Sequence, residues 1–151
     1  MFIVFIVVSY LLAGLVLLFS PKRLTKQEIY MAWIIISFIT LLSDTIFGLL
    51  LDQYDLLDGQ GPQPLDLFVE LTLPALFGIL YMNFMPGETR KFIPYMVFWI
   101  VFSVLYEQFS RYTGYVNYKG WNGWYSALFY LFACLFMRWH FRFIRKGITK
   151  D

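Results

Sequence analysis

Three carboxylic acids interrupt the apolar runs of this chain: Asp44, Glu70 and Glu107. A charge inside a stretch long enough to cross a bilayer is costly, so each is a functional candidate until a partner explains it. Acids gathered in one layer would bind a cation or a cationic headgroup, or hold a proton between them. Arg111, one helical turn beyond Glu107, would offset one of the charges. A plainer reading uses the same residues structurally, with Glu107 paired to Arg111 and Asp44 bonded to Ser and Thr neighbours. Glu70 is then merely solvated near an interface. The candidate ligand- or ion-binding set is Asp44, Glu70, Glu107, Arg111, Ser126 and Tyr130. His140 and Cys134 are the single histidine and cysteine, so no zinc-type cluster can assemble. No nucleophile is spaced to meet a base, and no catalytic residue, metal or cofactor is expected.

The elements that would position these groups are helices. Ser37, Thr40, Asp44 and Gly48 fall on one helical face, as do Asp66, Glu70, Pro74 and Gly78. Ser103, Glu107, Arg111 and Gly114 form a third stripe, and Asn122, Ser126, Tyr130 and Cys134 a fourth. Small and polar residues mark helix–helix contacts in membranes, because lipid cannot satisfy them. The simplest assembly packs the four stripes together and leaves the first helix, polar only at Ser9, on the periphery. With a rise of about 1.5 Å per residue, Asp44 lies roughly 10 Å from its helix end, and Glu70 and Glu107 roughly 5–8 Å from theirs. The acids thus share one layer in the outer half of the bilayer.

Composition demands a membrane. The chain has 151 residues, 60% hydrophobic, 22% aromatic and 15% charged, with a mean hydropathy of +0.63. A soluble domain carries roughly 45–50% apolar and roughly 25% charged residues. A core this small cannot hide the excess. An ordinary soluble globule, a disordered chain and a disulfide-rich module are excluded, and a net charge of +2 is too balanced for a nucleic-acid binder. Apolar runs predict five spans, at about 1–19, 29–51, 67–85, 92–112 and 123–141, in a single transmembrane domain covering 1–151. The first lacks a basic leader and a cleavage site, so it is expected to be retained.

Alternation of five helices places ten of the twelve lysines and arginines on one side. They are Lys22, Arg23, Lys26, Arg90, Lys91, Arg138, Arg142, Arg145, Lys146 and Lys150. The positive-inside rule then puts the N-terminus outside and the C-terminus in the cytoplasm. Tyr54, Tyr112 and Tyr115 join Tyr118, Trp121 and Trp124 in an outer aromatic rim suited to interfacial anchoring. Arg138, Arg142, Arg145 and Lys146 form an inner basic cluster, facing anionic headgroups or acting as a stop-transfer signal. Asp52, Asp55 and Asp58 lack the spacing of an EF-hand loop. Residues 58–64 are the longest turn-rich stretch.

Two families bear comparison. Glu107 and Arg111, with Phe136 and His140, have spacings used by intramembrane CAAX-type proteases. Tyr106 stands where that family has the first of its paired glutamates, however, and His140 falls at the opposite membrane face. A closer match runs through Asp44-Thr45, Asp66, Asn83-Phe-Met-Pro86, Tyr106-Glu107, Gly114, Tyr118-Lys-Gly-Trp121 and Trp124-Tyr-Ser126. In these motifs, covering about two thirds of its length, the chain resembles a family of small multispanning membrane proteins of spore-forming Firmicutes. The resemblance implies a location in the bacterial plasma membrane and supplies no activity, cofactor or catalytic residue. The expected fold is an all-α bundle of five transmembrane helices. The expected function is non-enzymatic: a membrane subunit with a polar interior that interacts with a partner, lipid or signal. The alternative is a small cation or solute carrier or binding protein using the intramembrane carboxylates. The bilayer is the expected partner, joined by another membrane protein or a second copy of the chain.

Overall fold

Each helix of the computed structural model, which describes residues 1–56 and 63–148, begins and ends for a reason legible in the chain. Helix α1 (Phe2–Phe19) stops short of Pro21. Helix α2 (Lys26–Ser43) opens on a capping box, with Thr25 Oγ1 accepting from the Glu28 N–H and Glu28 Oε2 accepting from the Thr25 N–H. It then widens into a π-helical segment, Asp44–Leu50, which ends at Asp52 in a left-handed conformation (φ 49°). Strand β1 (Tyr54–Leu56) follows. Helix α3 (Pro64–Phe84) carries proline at its first position, where no N–H is needed, and a second proline, Pro74, inside. Helix α4 (Thr89–Tyr112) ends near Gly114 (φ 81°), strand β2 (Val116–Tyr118) follows, and α5 is Gly123–Ile148. Asn122 caps α5 by accepting from the Trp124 and Tyr125 N–H groups at 3.0 and 3.3 Å.

Helix α3 packs against α2 and α1, and α4 packs against α5. The α2–α3 contact is close: a Cβ on Gly78 would lie 2.1 Å from Ile36 Cδ1, and Ala32 and Ala75 are fully buried. Ser37 crosses this contact to donate to the Leu71 carbonyl at 2.7 Å. Among the described residues, five helices are long and apolar enough to cross a membrane. Their large apolar residues, such as Leu12, Phe38, Leu105 and Phe132, point outward, an exposed apolar surface of the kind that suits lipid.

The structure departs from the sequence reading in four places. The second helix begins at Lys26 and does not continue as an α-helix to 51, because the π-helical segment takes over at Asp44. The fifth helix extends past 141 to Ile148, since its arginines are good helix formers and find partners on the protein. The loops on the far side of the bundle pair as an antiparallel sheet, with Tyr54 opposite Tyr118 and Leu56 opposite Val116. Helix α1 is not wholly peripheral: Phe5 is buried, and Tyr106 donates to Ser9 Oγ at 2.6 Å. Asp58, Lys150 and residues 58–62 of the turn-rich stretch lie outside the described residues.

The C-terminal basic cluster stitches the chain to itself. Arg145 Nε meets Glu28 Oε1 at 2.7 Å, and Arg142 donates to the Gly87 carbonyl at 3.1 Å. Arg138 donates to Thr89 Oγ1 at 3.0 Å and lies 3.8 Å over the Phe92 ring. Asn83 adds a double clasp, accepting from the Arg23 N–H and donating to the Pro21 carbonyl, both at 3.0 Å. Arg138, Arg142 and Arg145 therefore tie the α1–α2 and α3–α4 turns to the end of α5, with Arg142 and Arg145 remaining exposed.

Candidate functional site

Between the α1–α3 group and the α4–α5 pair lies a cavity of about 370 Å³. Asp44, Glu70 and Glu107 line its end nearest the β1–β2 sheet, and among the described residues its wall contains no lysine, arginine or histidine. Each acid stands where its helix is irregular or ends. Asp44 begins the π-helical segment, a kind of insertion often found at functional sites. Glu70 lies four residues before Pro74, which has no N–H to offer the Glu70 carbonyl. Glu107 is in the penultimate turn of α4.

Asp44, Glu70 and Tyr54 line the same end of the cavity. A proton or a cation held between two neighbouring carboxyls would relieve their repulsion. Glu107 Oε1 accepts from the Tyr118 hydroxyl and, at 2.5 Å, from Ser126 Oγ, while Oε2 accepts from the Tyr130 hydroxyl at 2.8 Å. Trp121 Nε1 supports Ser126 by donating to its Oγ at 2.7 Å. Burial, and then the bond to Glu107, push the Tyr118 hydroxyl up to about 12, so it remains a donor at neutral pH. Burial with Asp44 alongside pushes the Tyr54 hydroxyl up in the same way.

Five of the six expected binding residues line this cavity: Asp44, Glu70, Glu107, Ser126 and Tyr130. Arg111 does not. Its side chain is exposed, donates to Gln108 Oε1 at 2.7 Å and stacks 3.9 Å over the Tyr118 ring, so it forms no ion pair with Glu107. The helical stripes otherwise converge, with Thr40, Pro74, Gly78, Ser103 and Cys134 also in the wall. The aromatic rim divides in two. Tyr112 and Trp124 stay 77% and 81% exposed, whereas Tyr54, Tyr115, Tyr118 and Trp121 turn into the cavity. Asp52 and Asp55 meet Lys119 Nζ at 2.6 and 2.9 Å, which answers their charge without a metal.

Sequence reasoning missed the role of Tyr54 and of the sheet that holds it opposite Tyr118. The available signal was a short alternation of apolar and polar residues in each segment, too brief to separate strand from loop. The same reasoning placed Asp66 on the Glu70 stripe but not in the binding set; Asp66 is 4% exposed, has an Oδ1 without a hydrogen-bond partner, and does not line the cavity. Comparison with protein families, with curated proteins and with solved structures finds no match to this chain.

Proposed function

We propose that this chain is a non-enzymatic integral membrane protein of the bacterial plasma membrane that binds a cationic ligand in the interior of its five-helix bundle. One observation carries the reading: three carboxyls from three helices face a single cavity whose described wall contains no base. Protons or a bound cation must compensate that charge in a medium where ions are poorly solvated. The non-enzymatic part is carried by the sequence reading; the structure does bring one hydroxyl to a carboxylate that spacing did not predict, with Ser126 Oγ donating to Glu107 at 2.5 Å while accepting from Trp121 Nε1 at 2.7 Å.

The positive-inside rule supports an orientation with the sheet end outside, since the Arg138–Arg145 face and the α1–α2 and α3–α4 turns meet at the other end. The family resemblance supports the bacterial plasma membrane. A carrier is the second reading, favoured by the π-helical segment at Asp44 and by Pro74 close to Glu70. Irregular backbone beside the binding groups is what carriers use.

Thermal unfolding of the purified protein in uncharged detergent, from about pH 5 to pH 9 and with a panel of inorganic and organic cations, tests the reading. A native-state ligand at about 100 times its Kd stabilises by about 2.7 kcal/mol. Saturable stabilisation by a cation, lost in Glu107→Gln, is expected. A flat response to every cation, with the variant simply less stable, refutes ligand binding and leaves the acids as packing groups. Cation-driven charge movement in liposomes would favour the carrier.

A further inference from the structure

We infer that the ligand is an amphiphilic organic ammonium, with its charged head among Asp44, Glu70 and Glu107 and its apolar tail along the aromatic wall of α3 and α4. The inference rests on the cation-binding reading and narrows it to one chemical class. The cavity measures about 370 Å³. A water molecule occupies roughly 30 Å³, so a bare ion or a lone ammonium group would fill about a tenth of it. The whole space lies in the range of sites for small organic ligands, about 300–1,000 Å³.

Its two ends differ in chemistry. The acids and the Tyr54 and Tyr118 hydroxyls crowd the sheet end. Beyond them the wall is Phe77, Trp99, Phe102 and Tyr106, joined edge to face and face to face at centroid distances of 5.0 to 6.0 Å. Ala133 and Met137 of α5 face the same space, which reaches Tyr81 and Cys134. From Glu70 to Tyr81 is eleven residues of helix, roughly 16 Å at 1.5 Å per residue, room for an extended alkyl or aryl tail.

Two further observations separate this ligand from a metal ion. Among the described residues, no three carboxylates, histidines or cysteines draw together closely enough to hold a metal. The acids instead border a space, as suits a head with several N–H donors or diffuse charge. The three acids line the cavity together with the Tyr54, Tyr118 and Tyr130 hydroxyls, which gives the head region neutral donors and acceptors around its carboxylates. Aromatic faces beside a cation add attraction of their own.

The test is a tail-length series read by thermal unfolding and by fluorescence of the cavity tryptophans, Trp99 and Trp121. The probes are methyl-, ethyl-, butyl- and hexylammonium, with sodium, magnesium and hexanol as controls. Affinity should rise about three- to fourfold per methylene, putting hexylammonium about two orders of magnitude above ethylammonium. Hexanol should bind far more weakly than hexylammonium, and Ala133→Phe should flatten the dependence on tail length, weakening hexylammonium far more than methylammonium. If Ala133→Phe fails to fold, Ser103→Leu and the wild-type series carry the same test. Equal binding of methylammonium and hexylammonium, or tighter binding of sodium or magnesium, overturns the amphiphile and leaves cation binding standing. Hexanol matching hexylammonium, or no response to any probe, overturns both.

Discussion

Where α1 turns into α2, Glu28 and Arg145 meet at 2.7 Å, and Arg138 and Arg142 reach across to the α3–α4 turn. At the opposite end, capped by β1 and β2, Asp44, Glu70 and Glu107 share a wall that among the described residues contains no lysine, arginine or histidine. Both ends bring charge into a largely apolar bundle, and charge there is expensive. At the turn end the guanidiniums of Arg138, Arg142 and Arg145 are answered by a hydroxyl, a carbonyl, a carboxylate or an aromatic face of the same chain. At the sheet end Glu107 is answered by hydroxyls, which satisfy its hydrogen bonds without cancelling its charge. Paired charge builds the fold, whereas uncompensated charge around a space is what a ligand can use.

That contrast is sharpest at Glu28. Its carboxylate is 2% exposed, closes the α2 capping box and holds Arg145. Glu28→Ala should cost about 2–4 kcal/mol, from a lost cap of about 1 kcal/mol and a charge-assisted bond of about 1.5–3 kcal/mol. Unfolding in detergent, without any ligand, should show the full effect. Glu107→Gln should destabilise less than this, and a loss as large as that of Glu28→Ala would erase the distinction between the two ends.

Smaller effects refine it. Tyr130→Phe removes the 2.8 Å bond to Glu107 Oε2 and keeps the ring. We expect about 1–2 kcal/mol of destabilisation and a changed cation affinity in the same titration. An unchanged affinity would assign Tyr130 to packing. The smallest effect belongs to Lys119, which bridges Asp52 and Asp55 at the exposed edge of the sheet. Those carboxylates hold its ammonium above the usual lysine range. Its contribution is therefore present below that range and fades only as strongly alkaline pH passes through the raised value. Lys119→Met should lower the melting temperature slightly at low salt and scarcely at all at high salt. A salt-independent loss would mean that Lys119 supports the cavity roof through packing.

The sequence alone determined the number and approximate extent of the helices. Runs of apolar residues broken by Pro21, Pro86 and charge clusters leave no other economical reading, and backbone groups in lipid must be satisfied within a helix. Periodicity also determined most of the site, because residues three or four apart share a helix face whatever the helix packs against. Asp44, Glu70, Glu107, Ser126 and Tyr130 were found that way. Tertiary structure alone decided what that period does not encode. The β1–β2 pairing joins segments sixty residues apart and turns Tyr54 and Tyr118 from rim to roof. Arg111 shares a stripe with Glu107, yet it leaves the cavity because a long, flexible cation can reach the exposed Tyr118 face and Gln108 instead. The arginines of α5 carry a charge pattern that fits lipid headgroups, but the folded turns place Glu28, Gly87 and Thr89 within reach first. Local spacing sets which face a residue occupies; only the packed chain sets what meets it there.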